Sequence, residues 1–197
     1  MYNHYKSKTK KLVLSGIFTA LTAIGAFIKV PINPVPINLQ TFFVLLAGNV
    51  LGAYYGSLSQ LAYLVIGLIG LPVFAQGGGP MYILKPTFGY LAAFPIAAGI
   101  VGFLMEQIKS KPYLGFGDTN IILLMMVNLI GVIIILTFGV AYLYVNLNYI
   151  VGESILFTEA ISIGALLFLP GEIIKIILIS VVGKFVKIIP ATLNLQE

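Results

Sequence analysis

The sequence predicts an all-α polytopic membrane protein: six transmembrane helices, N and C termini cytoplasmic, and irregular outer-face loops over a ligand site. Three observations carry that expectation. Residues are 59% hydrophobic and only 9% charged, with a mean hydropathy of +1.06, so the 197-residue chain lacks the charged surface of a soluble domain. Apolar stretches recur in lengths suited to crossings of about 20 residues each. All eleven basic residues are lysines, and eight of them fall on one predicted side, leaving only Lys29, Lys85 and Lys175 on the other.

The first apolar run, Leu12 to Val30, forms span 1. Before it, MYNHYKSKTKK has the charge of a signal-peptide n-region, but the run is long for an h-region and no convincing small-x-small cleavage site precedes Lys29, so it is read as retained. PINPVP, residues 31 to 36, ends the span, because three prolines in six residues remove donors and clash with helical turns. Span 2 is expected from Leu39 to Ala53. A short uncharged turn over Gly52 to Gly56 then returns span 3, Ser57 to Leu71, directly beside it. Gly77-Gly78-Gly79-Pro80 marks a loop that permits unusual dihedrals and close approach to the main chain. Span 4 starts at Pro86, which suits a first helical turn, and ends near Gln107 with a kink at Pro95. The polar loop Glu106 to Asn120 precedes span 5, Ile121 to Val145. Ile155 to Ile189 would be about 50 Å long as one helix, against about 30 Å of hydrocarbon, so a break is expected at Pro170-Gly171. Gly152 to Leu169 then reads as an outer-face helix or re-entrant segment carrying Glu153 and Glu159. The last span runs from Pro170 to Ile188.

With the N-terminal cluster Lys6, Lys8, Lys10 and Lys11 inside, this alternation also puts Lys109, Lys111, Lys184 and Lys187 inside. The chain thus divides into a cytoplasmic tail (1–11), one membrane domain (12–189) and a second cytoplasmic tail (190–197). The proline loop, the glycine loop and the Pro170 break all fall outside. Irregular backbone at such depth persists only where protein buries it or it lines a cavity, so their convergence predicts a ligand site.

Composition also excludes chemistries. The +5 formal charge reports topology rather than nucleic-acid binding, and no cysteine offers a thiolate. His4 stands alone in a polar tail, no GxxxxGK[ST] loop is present, and no relay of buried acids and histidines is evident. Neither a catalytic residue nor a metal or cofactor is expected: the protein is not an enzyme and hydrolyses no ATP itself.

Glu172 and Lys175 are the leading candidates for ligand contact. They share one face of the last span, where burying ionisable groups is costly; the alternative is an ion pair that anchors the helix end. Asn38 and Gln40, with Thr41, open span 2 and either meet ligand or cap the helix. Thr87 and Tyr90, one turn apart, can bond into the same space, although Tyr is also an interfacial anchor. For Lys85, snorkelling to the interface is the favoured reading. In span 1, Gly16 with Ala20, and Thr19 with Ala23, set small residues four apart, suited to docking a partner helix or to packing within the bundle.

PVPINLQT, LIGLPVFAQGGGP, LKPTFGYLAAF and FLPGEIIK, in this order and spacing, resemble the BioY family, the biotin-specific substrate-binding (S) components of energy-coupling factor (ECF) transporters. The resemblance covers nearly the whole chain. It implies a six-helix protein of the bacterial plasma membrane that binds biotin near the outer face and partners a transmembrane coupling protein and two ABC ATPases. Small residues of the first helix make that contact, and the subunit is thought to topple to release its vitamin inside. The family's proline-glycine-acid-x-x-lysine motif falls on Pro170, Gly171, Glu172 and Lys175, with Glu where Asp is usual. Its glycine loop falls on Gly77, Gly78 and Gly79, and its PTxGY segment on Pro86, Thr87, Gly89 and Tyr90, with Phe88 and Lys85 departing from frequent glycines. The resemblance leaves Lys175 two roles, meeting the ureido ring or the valerate carboxylate. Two other readings stay open: an S component for a different small vitamin, and a non-transport scaffold self-associating through the first helix.

Overall fold

The computed structural model describes residues 2–30, 35, 37–109 and 120–185, with side chains for 8–30, 35, 37–108 and 120–182. The side chains of His4, Lys6, Lys109 and Lys184, the prolines of the 31–36 loop, Lys111, Lys187 and the 190–197 tail lie outside the described residues.

Helix α1 spans Tyr2–Phe27, so the polar tail forms its opening turns rather than an irregular lead. It stops three residues short of Val30 because the chain becomes extended there. Strand β1 (Lys29–Val30) pairs antiparallel with β2 (Ile37–Asn38), Lys29 opposite Asn38 and Val30 opposite Ile37. This small ribbon departs from the all-helical expectation. Prolines deny the segment a helix, and pairing satisfies backbone polar groups that lipid would leave unbonded.

Helix α2 covers Gln40–Leu68 and is interrupted at Gly52, whose φ of 79° and ψ of −175° are non-helical. Gln40 Nε2 donates to Tyr63 Oη at 2.6 Å, although 23 residues separate them. A straight helix would hold them roughly 34 Å apart, so α2 is a hairpin folded back at Gly52. The turn is tighter than the Gly52–Gly56 loop expected: a Cβ on Gly56 would lie 3.0 Å from the Gly48 Cα. Helix α3, Phe88–Lys109, follows a 3-10 turn at Pro80–Leu84 and continues through Pro95. Its Glu106 Oε1 accepts from the Ala53 N–H at 3.0 Å, capping the exposed amides of the second α2 arm.

Helix α4, Ile121–Asn146, is N-capped by Asn120, whose side chain accepts from the Ile122 N–H. It ends in a π turn, Leu147–Val151, closed by left-handed Gly152. After an extended link come α5 (Phe157–Ile161), a second π turn (Ser162–Leu166) and α6 (Leu169–Phe185). The expected interruption is therefore present, but as a π turn and the tight turn before Pro170 rather than as a separate outer helix.

Among the described residues, five helical stretches are long and apolar enough to cross a membrane: Lys8–Phe27, Gln40–Leu68, Phe88–Ile108, Ile121–Val151 and Phe157–Val182. The polarity is inverted relative to a soluble protein. Val13, Ile17, Ile122, Met126, Ile133 and Ile174 are exposed, whereas Asn49, Ser59, Gln60 and Asn128 are buried and hydrogen-bonded. One end of the bundle holds Lys11, the Gly52 turn and Glu106. The other holds the ribbon, the glycine loop and the starts of α3 and α6.

Candidate functional site

At this second end the elements line a partly open cavity, whose empty space of about 560 Å³ includes the solvent at its mouth. Asn38 reaches it from the end of β2, Gln40 and Thr41 from the start of α2, Thr87 from just before α3, Tyr90, Leu91 and Phe94 from α3, and Glu172 and Lys175 from α6. Val35 of the proline loop, Ala75 of the glycine-loop segment and Phe168 before Pro170 complete the wall, so all three irregular segments meet here.

Glu172 and Lys175 are each only 5% exposed, and Lys175 Nζ donates to Glu172 Oε1 at 2.6 Å. Thr41 Oγ1 donates to the same oxygen at 3.2 Å. The other carboxylate oxygen, Oε2, is buried and has no hydrogen-bond partner among the described residues. An unbonded buried acceptor costs about 1–3 kcal/mol, more for a charged group, so this atom is poised to take a donor from a ligand. Lys175, with three N–H groups, spends one of them on Glu172.

The amides where β2 leads into α2 play a different part. Asn38 Nδ2 donates to Gln40 Oε1 at 2.6 Å, Asn38 Oδ1 accepts from the Gln40 N–H, and Gln40 continues to Tyr63, whose hydroxyl donates to the Val73 carbonyl. Gln40, 3% exposed, is thus a strut that ties the α2 hairpin to the segment after it. Asn38 is less committed. Thr87 Oγ1 donates to Tyr82 Oη at 3.3 Å on the facing wall. Burial pushes the Tyr82 hydroxyl above the ordinary tyrosine range despite the opposing Thr87 bond, so it stays neutral. The Tyr90 hydroxyl donates to the Gly164 carbonyl in the second π turn at 2.7 Å, leaving the ring to face the cavity. A Cβ on Gly139 would lie 2.1 Å from that ring, so two glycines on neighbouring segments make room for it.

Gly77, Gly78 and Gly79, expected to contact ligand, are not among the residues that line the cavity. The N–H groups of Gly77 and Gly79 donate to the Phe74 and Gly67 carbonyls, and a Cβ on Gly78 would meet the Leu71 carbonyl oxygen at 2.1 Å. The glycines are needed for a tight return that presents Phe74, Ala75 and Tyr82 to the interior. The span 1 stripe also divides. Thr19 turns inward, donating to the Ser59 carbonyl at 2.8 Å, and Ala23 packs on the core, whereas Gly16 and Ala20 face out.

Sequence reasoning passed over Tyr82, Leu91, Phe94, Ile135, Leu136 and Phe168. Leu91 and Phe94 were accessible, since they continue from Thr87 at the four- and seven-residue spacing of one helical face. Ile135 and Leu136 sit in a uniformly apolar span that carries no comparable signal.

Residues 1–191 match the family described as the BioY family. A probable biotin transporter BioY of Lysinibacillus sphaericus is 48% identical over 143 residues, 73% of this chain and 69% of that protein. The biotin transporter BioY of Thermotoga maritima is 37% identical over 180 residues, 90% of this chain and 96% of its own. Among solved structures, the 2.1 Å crystal structure of the S-component for biotin from an ECF-type ABC transporter has a TM-score of 0.77 at 32% identity, covering 91% of this chain and 92% of that one.

Proposed function

The chain belongs to the BioY family, and on that premise we propose that it is the biotin-binding membrane subunit of an ECF-type importer, a carrier rather than an enzyme. The observation that carries this reading is the buried Glu172–Lys175 pair with its unpartnered carboxylate oxygen, set in an otherwise largely apolar cavity. Biotin offers a ureido ring with two N–H donors and one carbonyl, an apolar thiophane and a valerate carboxylate. Glu172 Oε2 accepts a ureido N–H, and the spare donors of Lys175 and Asn38 serve the ureido carbonyl. Tyr82 and Thr87 supply hydroxyls across the cavity, while Phe94, Phe168 and the Tyr90 ring cover the thiophane. Gln40 and the three loop glycines act by holding these walls in place.

The two arms of α2 count as separate crossings in this reading. They raise five long apolar stretches to six spans, with both termini cytoplasmic in a bacterial plasma membrane and residues 12–189 forming one domain. Energy comes from two ABC ATPase subunits through a coupling protein, which docks on the outward face of α1 around Gly16 and Ala20.

Native mass spectrometry of the detergent-purified chain tests the reading directly: bound biotin is expected, with calorimetry returning a single saturable site for added biotin. A protein that retains none and binds none would sink it. Competition of other vitamins against labelled biotin separates this carrier from one built for a different cargo.

A further inference from the structure

Two lysines outside the Glu172–Lys175 pair do not themselves line the cavity but bond to the segment that walls it at Ala75. Lys29 Nζ donates to the Ala75 carbonyl, and Lys85 Nζ donates to the Gln76 carbonyl at 2.8 Å. Ala75 is buried and lines the cavity while its neighbour Gln76 is exposed, so this segment borders the outside of the site. Adjacent Cα atoms are about 3.8 Å apart, which brings both ammonium groups to one short piece of chain. Lys85 Nζ also lies 4.9 Å from the ring centroid of Tyr82, itself a cavity residue. Among the described residues neither lysine has a carboxylate within salt-bridge distance, and each retains two further N–H donors. The inner cation Lys175, by contrast, is already balanced by Glu172.

We propose that Lys29 and Lys85 form a rim clamp for an anionic group on the bound ligand, which makes them the residues that select a free carboxylate over its neutral derivatives. The proposal rests on the reading of this cavity as a biotin site. There the ureido ring engages the neutral Glu172–Lys175 pair, and the valerate carboxylate emerges past Ala75 to meet the two ammonium groups. The clamp does not need to release the loop, because each ammonium bonds a carbonyl and the anion together.

The test compares biotin with biotinamide, its uncharged carboxamide, by calorimetry on the purified full chain and on Lys29→Gln, Lys85→Gln and the double variant. The wild type is expected to prefer biotin by about tenfold or more, the scale of a charge-assisted hydrogen bond. Each single variant should reduce the preference, and the double variant should abolish it while binding biotinamide within about twofold of wild type. Lys29→Arg and Lys85→Arg should keep it. Added salt should weaken biotin but not biotinamide. Equal affinity of the wild type for the two ligands overturns the clamp and leaves the biotin site standing. A double variant that weakens both ligands by the same factor also overturns it, because the lysines would then only hold the loop. A wild type that binds neither ligand removes the biotin reading and the clamp with it.

Discussion

Replacing Glu172 with alanine removes a ligand acceptor and also strands Lys175 in the interior, so one substitution has two consequences that separate experimentally. Stranding either member of a buried pair costs about 3–5 kcal/mol, whereas an apolar or neutral pair of similar volume is better tolerated. Glu172→Ala and Lys175→Ala should therefore each lower the midpoint of thermal unfolding and weaken biotin binding by roughly 1.5 kcal/mol or more. The double variant Glu172→Gln with Lys175→Met should recover much of the stability without recovering affinity, as read by unfolding in detergent and by calorimetry. At Tyr90 the hydroxyl is spent on the Gly164 carbonyl. Tyr90→Phe should cost about 1 kcal/mol of stability and leave biotin affinity within a few-fold, because only the ring faces the cavity. The pair at 172 and 175 was legible because ionisable groups stand out in an apolar run. Gln40 was visible as a polar residue, but its role as a strut depends on Tyr63, 23 positions away, which no local pattern reports.

At the scale of the elements, two glycine positions are decisive. Gly52 takes a positive φ, and a Cβ there would lie 2.1 Å from Glu106 Oε1. Gly52→Ala thus combines backbone strain of about 1–3 kcal/mol with a steric conflict. It should destabilise the fold, and adding Glu106→Ala should relieve the clash but give up the bond to the Ala53 N–H, so thermal unfolding of the double variant should show no full recovery. In the glycine loop, Gly78→Ala drives a methyl group into the Leu71 carbonyl. It should weaken biotin binding by displacing Ala75 and Tyr82, although Gly78 itself touches nothing in the cavity. The sequence disclosed both turns through glycine placement. The ribbon of β1 and β2 was not legible, because four paired residues are too few to show an alternating pattern. The π turns were equally hidden, since one extra residue per turn leaves no compositional mark.

Considered whole, the molecule presents apolar side chains to its surroundings and keeps amides and hydroxyls inside, the arrangement that a low-dielectric solvent demands. The outward face of α1 is where the small residues Gly16 and Ala20 interrupt that coat. Gly16→Leu or Ala20→Leu should leave biotin binding unchanged and abolish both uptake in cells and co-purification of the coupling protein. Loss of binding in either variant would instead mark the face as part of the fold. Span positions and the convergence of three loops were legible from apolar length and proline. The reversal within α2 was legible at its glycines, and the Gln40–Tyr63 bond sets the two arms side by side. That hairpin has a consequence for how the protein is made. Its first arm, residues 40–51, is about 18 Å long and its second, 53–68, about 24 Å, both short of the roughly 30 Å of hydrocarbon. Neither arm makes an adequate stop or start signal on its own. The hairpin is therefore expected to enter the bilayer as one unit, each arm covering polar groups of the other.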